Sequence, residues 1–162
     1  MSSLREQIKQ LASQYAPDFI EVRHHLHAHP ELSYQEYETS AFVQKRLQEL
    51  DISFHVIAQT GVTGIIEGKN PGKKVIALRA DMDALPIQEE NNIPYKSTRP
   101  GVMHACRHDV HTTCLLGAAK ILQELRKEWE GTVKLIFQPG EERNPGGASI
   151  MMNEGVLLPI GY

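Results

Sequence analysis

Val75-Ile76-Ala77-Leu78-Arg79-Ala80-Asp81-Met82-Asp83 begins as a β-rich apolar run and ends in two carboxylates. A second run, Val133-Lys134-Leu135-Ile136-Phe137, ends past Gln138-Pro139-Gly140 in Glu141-Glu142. Between them Leu115, Leu116, Ala118, Ala119, Ile121, Leu122 and Leu125 fall at helical spacing, predicting a helix over about 109–127 with Asp109 as its cap. Strand, helix and strand in that order read as a βαβ crossover, which makes the two strands parallel. Parallel strands present their carboxyl ends along one edge, where α/β sheets place ligands. Both acid pairs are therefore expected on one rim.

Upstream, Leu4, Ile8 and Leu11 repeat at helical spacing, and Pro17 predicts the start of a second helix running through Phe19, Val22 and Leu26 until Pro30 stops it. A further helix is expected from about Tyr37, with Ala41, Phe42 and Leu47 on its apolar stripe. Phe54-His55-Val56-Ile57 and Gly64-Ile65-Ile66 read as short strands, and Asn70-Pro71-Gly72 predicts a hairpin turn from the second of these to Val75–Leu78. A last short helix is expected near Ser149–Glu154. The pattern is one α/β domain with a partly parallel sheet, without repeats or linkers.

The 162 residues, 41% hydrophobic and 23% charged, have an ordinary globular composition. The net charge is -3 without a Lys/Arg cluster, which argues against a nucleic-acid partner. No apolar run approaches the roughly 18 residues of a spanning helix, so no membrane role is expected. Arg5, Glu6 and Lys9 stand where a signal peptide needs its apolar stretch, which points to the cytoplasm. If a helix covers their neighbourhood, Cys106 and Cys114, eight residues apart, would lie about 12 Å from each other along its axis, too far for a disulfide. Of the eight histidines, all but His55 fall into two clusters, and none follows His111.

The second histidine cluster opens the crossover helix: Met103-His104-Ala105-Cys106-Arg107-His108-Asp109-Val110-His111. Cys106 and His108, two apart on extended backbone, are expected to point the same way. Thiolate, imidazole and carboxylate suit zinc, while carboxylate and imidazole also accept manganese. Such a cation acidifies water, and a neighbouring carboxylate can take the proton during attack on a carbonyl. The blander readings are a solvated turn for Glu141-Glu142 and loop bracing for Asp81 and Asp83. A thiol mechanism is the other chemical reading, because Cys106 precedes a helix N-terminus that can depress its pKa, with His104 and His108 nearby.

These segments together resemble the M20 metallopeptidases, in the amidohydrolase branch that hydrolyses N-acyl amino acids, hippurate and auxin conjugates. Matching stretches are Arg23-His24-His25-Leu26-His27-Ala28-His29-Pro30-Glu31-Leu32, Gly61-Val62-Thr63-Gly64, Leu78–Pro86, Met103–Cys106, His108–Thr112 and Phe137–Glu142, and the resemblance runs over residues 4–157 in order. It implies a three-layer α/β fold with flanking helices. It implies Cys106, His108 and Glu142 as ligands of zinc or manganese, Glu141 as general base, and Asp83 as a supporting catalytic residue behind the ligands. The implied substrate is a small N-acyl amino acid. His111 is a near-site neighbour or a cap of its own helix. His24, His25, His27 and His29 lie outside the implied metal shell and are expected to be structural or exposed.

Two departures stand out. The family carries glycine where this chain has Arg107, which places a side chain and a positive charge between two implied ligands. Family members are more than twice as long, with a lid and dimerisation domain and two further histidine ligands downstream, and the ending Leu158-Pro159-Ile160-Gly161-Tyr162 has no counterpart in them. Residues 1–162 therefore read as the incomplete N-terminal part of a catalytic domain, lid absent, with an exposed sheet edge through which it could self-associate. The alternative to hydrolysis is an inactive remnant that binds a single metal ion without turnover.

Overall fold

The computed structural model describes residues 3–158, so 159–162 of the unmatched ending lie outside the described residues. Helix α1 (Leu4–Ala28) and helix α2 (Tyr37–Glu49) precede strands β1 (Ser53–Ile57), β2 (Gly61–Glu67) and β3 (Val75–Asp81). Helix α3 (His108–Glu124), strand β4 (Thr132–Gln138) and the short helix α4 (Gly147–Asn153) complete the fold. The four strands form one sheet in the order β1-β2-β4-β3, with β3 and β4 parallel and the other pairs antiparallel.

β4 is buried at every position, as an apolar central strand must be. Its Val133, Leu135 and Phe137 face a core built with Val22 and Leu26 of α1, Val43 and Leu47 of α2, and Leu115, Leu116 and Ala119 of α3. Ile136, on the opposite face, packs with Ile57, Met151 and Val156 beneath α4. Helices thus cover both faces, giving three layers. Lys134 shares the α4 side and spends its charge on main chain, donating from Nζ to the carbonyls of Val156 at 2.8 Å and Leu158 at 3.0 Å.

Three expectations change. α1 is one continuous helix, not two, and contains Pro17. The carbonyl of Ser13 that proline deprives of a partner lies on an exposed stretch of helix, where water can satisfy it. Asn70-Pro71-Gly72 makes no hairpin: β4 inserts between β2 and β3, and Pro71–Lys73 forms a 3₁₀ turn crossing past it. Asp109 does not cap α3. Arg107 takes the cap position and the Asp109 carboxylate is buried at the second residue of the helix.

Candidate metal centre

β3 and β4 run parallel in register from Val75↔Thr132 to Asp81↔Gln138, and the Met82 amide prolongs the ladder to the Gln138 carbonyl at 3.0 Å. Asp83, just beyond the end of β3, and the turn Gly140–Glu142 after β4 are therefore delivered to one edge. α3 begins at the same edge with His108 as its first residue, held there by Thr112 Oγ1 donating to the Asp81 carbonyl at 2.9 Å. The two acid pairs and the histidine loop meet as the βαβ reading expects.

His108 is buried, and its Nδ1 lies 2.9 Å from the Asp83 main-chain carbonyl and 3.3 Å from Asp83 Oδ1. That hydrogen bond makes Nδ1 the donor and leaves the Nε2 lone pair facing Glu142, whose Oε1 is 3.9 Å away. One ligand atom each from His108, Glu141 and Glu142 falls within 4.8 Å of the others. Asp83 is itself pinned, accepting from Ser33 Oγ at 2.6 Å and from the Glu142 amide at 3.0 Å on Oδ2. Burial pushes its carboxyl up, but the bonds from His108, Ser33 and the Glu142 and Glu141 amides prevail and hold it at about 2. Burial pulls the His108 pKa down, and Asp83 and Asp81 outweigh it, raising it above the ordinary value.

Cys106 is exposed in the loop, whereas His108, the first residue of α3, is buried. Arg107 between them turns the chain with φ 66°. The Cys106 thiol still reaches Glu142 by a hydrogen bond. That bond, burial and the Glu142, Glu141 and Asp83 charges push its pKa up to about 11. The shift opposes the helix-terminus effect on which thiol catalysis would depend. With one imidazole whose second nitrogen is tied back, two carboxylates and an adjacent thiol, the donor set fits a borderline divalent cation. The buried Asp83 Oδ1, 3.3 Å from His108 Nδ1, adds negative charge behind it.

Asp81, His108 and His111 form a second grouping within 4.8 Å. There the Asp81 carboxylate is already neutralised by an ion pair with Arg79, and His111 Nδ1 stands 3.6 Å from it. His111 is exposed and caps nothing; its ring centroid lies 5.4 Å from that of His108. His104 is buried with neither ring nitrogen hydrogen-bonded to protein, and burial lowers its pKa to about 4.

Sequence reasoning overlooks the supports. Ser33 lies 50 residues from the carboxylate it holds, and no spacing rule joins them. His27, among the residues expected to be structural or exposed, is a buried tie: Nδ1 meets Asp109 Oδ2 at 2.8 Å and Nε2 meets Glu89 Oε1 at 3.1 Å. Arg23 Nε adds an ion pair to Asp109 at 2.9 Å. His24 stacks on Tyr95, and His25 stacks on Phe42. None of these four histidines of α1 and its C-terminal cap belongs to either grouping of ligand atoms.

Comparison with known proteins shows the family. The chain is 49% identical over 154 residues to an N-acyl-L-amino acid amidohydrolase of Geobacillus stearothermophilus, covering 94% of this chain and 41% of that protein. It is 48% identical over 146 residues to an N-acetyl-L-cysteine deacetylase of Bacillus subtilis, covering 88% of this chain and 35% of the relative. The crystal structure of Bacillus subtilis YXEP, described as a dinuclear metal binding peptidase from the M20 family, superposes with a TM-score of 0.84 at 43% identity. That match covers 92% of this chain and 42% of YXEP. The chain thus spans roughly two fifths of the length of its relatives. The model of peptidase family M20/M25/M40 matches residues 77–161, from within β3 through the acid pair and beyond, and it is to this family that the chain belongs.

Proposed function

We propose that residues 1–162 form the N-terminal part of the catalytic domain of a metal-dependent amidohydrolase that cleaves the amide bond of small N-acyl amino acids. The observation that carries this reading is the free Nε2 face of His108, directed at Glu142 with Glu141 beside it on the ligand-binding edge of the sheet. Cys106, His108 and Glu142 would hold a divalent cation, zinc or manganese. Such a cation supplies Lewis acidity to a carbonyl and lowers the pKa of water. Glu141 takes the proton from the attacking water on its carboxylate and returns it to the departing amine nitrogen. Asp83 keeps His108 in the tautomer that offers Nε2.

A cleft of about 280 Å³ opens beside Glu142, walled by Leu32, Ala84, Leu85 and Pro86 with Arg143 at its side. Its size and apolar wall suit a small acyl or side-chain group. No helix among the described residues is long and apolar enough to cross a membrane, and both cysteines are free, which supports a cytoplasmic setting. β3 forms one edge of the sheet with Val75 58% and Ile76 44% exposed, which supports self-association along that edge.

The deciding experiment titrates the purified chain with Zn²⁺ and Mn²⁺, using Cys106→Ser as control, and then assays N-acyl amino acids against Glu141→Gln. Tight binding lost in Cys106→Ser, with turnover lost in Glu141→Gln, is the expected result. Binding without turnover would favour the remnant that holds a single ion, a reading supported by the small number of ligands this chain brings together. Binding indifferent to Cys106 would sink the proposed ligand set.

A further inference from the structure

The turn that carries Glu141 and Glu142 is gripped from outside the site by residues 34–36. Tyr34 stands in left-handed backbone with φ 65°, a conformation sterically disfavoured for any residue with a β-carbon and enriched at functional sites. Its ring lies against Gly140: a β-carbon on that glycine would collide with Tyr34 Cε1. The Tyr34 hydroxyl donates to the Arg143 carbonyl at 2.8 Å and accepts from the Gly146 amide at 3.0 Å. Two residues further on, the buried Glu36 accepts from the Gly140 amide at 2.7 Å through Oε1 and from Thr60 Oγ1 at 2.7 Å through Oε2. The loop is closed at its base by the Gly147 amide donating to the Gly140 carbonyl at 2.9 Å.

Each end of the acidic turn is thus tied to one short segment, Gly140 by Glu36 and the Tyr34 ring, Arg143 and Gly146 by the Tyr34 hydroxyl. Between those ties the Glu142 amide, with that of Glu141, is held by Asp83. The placement of the two carboxylates relative to His108 is then set by the clamp at one side and Asp83 at the other. A turn needed only to connect β4 to α4 would not require a strained tyrosine matched to a bare glycine. We infer that Tyr34 and Glu36 are positioning residues that hold Glu141 and Glu142 in place against His108. The inference rests on the proposed function in taking those carboxylates as working groups.

The test titrates the full chain and its variants with Co²⁺, reading affinity and the visible absorption band, and records thermal unfolding without metal. Tyr34→Phe keeps the ring over Gly140 and loses both hydrogen bonds of the hydroxyl. Glu36→Gln keeps an acceptor for the Gly140 amide, and Glu36→Ala removes it. Tyr34→Phe is expected to weaken Co²⁺ binding about 10-fold and shift the band, the lower range for partners that orient ligands, while the unfolding midpoint moves little. Glu36→Ala is expected to weaken binding at least as much, with Glu36→Gln restoring most of it. Should Glu36→Ala fail to fold, Tyr34→Phe decides alone. Wild-type affinity and spectrum in Tyr34→Phe would overturn the positioning role while leaving the proposed function standing. A wild-type chain that takes up no Co²⁺ would overturn both.

Discussion

His108 and Asp83 are joined twice through one imidazole nitrogen: Nδ1 lies 2.9 Å from the Asp83 carbonyl and 3.3 Å from its carboxylate. The same carboxylate receives Ser33 and the amide of Glu142, so one buried acid orders both a histidine from α3 and a glutamate from the turn after β4. Asp83→Asn keeps the main-chain acceptor for His108 but turns an amide group toward donors. It is expected to weaken Zn²⁺ binding by roughly 10–100-fold. Unpaired donors should also lower the unfolding free energy by about 1–3 kcal/mol. Chelator-competition titration and urea unfolding check the two effects separately, and wild-type affinity in Asp83→Asn would remove Asp83 from the proposed site.

His104 should make the metal-free chain acid-sensitive. Its folded pKa of about 4 lies below the ordinary 6.5 because burial disfavours the imidazolium. The unfolded chain therefore binds the proton first as pH falls. The contribution is whole above 6.5 and is lost progressively down through about 4. At about 1.4 kcal/mol per pH unit the loss is on the order of 3 kcal/mol. Urea unfolding at pH 7 and pH 4 in the presence of a chelator reads it directly. Neither ring nitrogen has a hydrogen-bond partner in the protein, so His104→Leu is expected to flatten this dependence without stranding another group. An unchanged pH slope in that variant would assign the acid sensitivity elsewhere.

The crossover and its rim were legible because each strand is a short apolar run ending in a carboxylate pair, and the helix between them repeats its apolar face over several turns. The departures turn on surroundings that the local sequence does not show. Pro17 signals a helix start locally, yet here it sits within a longer helix because its orphaned carbonyl faces water. A turn signal at Asn70–Gly72 cannot reveal that β4, some 60 residues later, takes the place beside β2. Asp109 has the chemistry of a cap, but His27 and Arg23 from α1 draw its carboxylate inward. Tyr34 and Glu36 carry no motif at all, and only the folded turn shows what they hold.

The β3 edge offers a test of self-association. Val75 and Ile76 stand exposed on a strand that has β4 on one side and, among the described residues, no strand on the other. Uncovered apolar edges recruit further strands. Sedimentation velocity is expected to show the wild-type chain growing in mass with concentration. Ile76→Lys should return it towards a monomer with its far-UV circular dichroism unchanged. A wild-type chain that stays monomeric over the concentration series would refute self-association by this edge.

Arg107 occupies the position where the family resemblance places glycine, and the backbone shows what that substitution entails. With φ 66° it stands in the left-handed region, where a β-carbon costs roughly 1–2 kcal/mol. Glycine would relieve that strain but give back about 0.5–1 kcal/mol in unfolded-chain entropy. Arg107→Gly is therefore expected to stabilise the chain by about 1 kcal/mol or less, seen as a modest rise in unfolding midpoint. Arg107 is exposed, so removing it uncovers no core. The substitution also removes a positive charge from between Cys106 and His108, which should tighten Zn²⁺ binding by roughly 2–5-fold on the Coulomb energies of partly solvated charges. Arg107→Ala separates the causes, because it loses the charge and keeps the strained β-carbon. If the alanine variant matches the glycine variant in affinity but not in stability, charge governs the metal and backbone geometry governs the fold. Equal stability in all three chains would show that the left-handed turn is not strained by arginine.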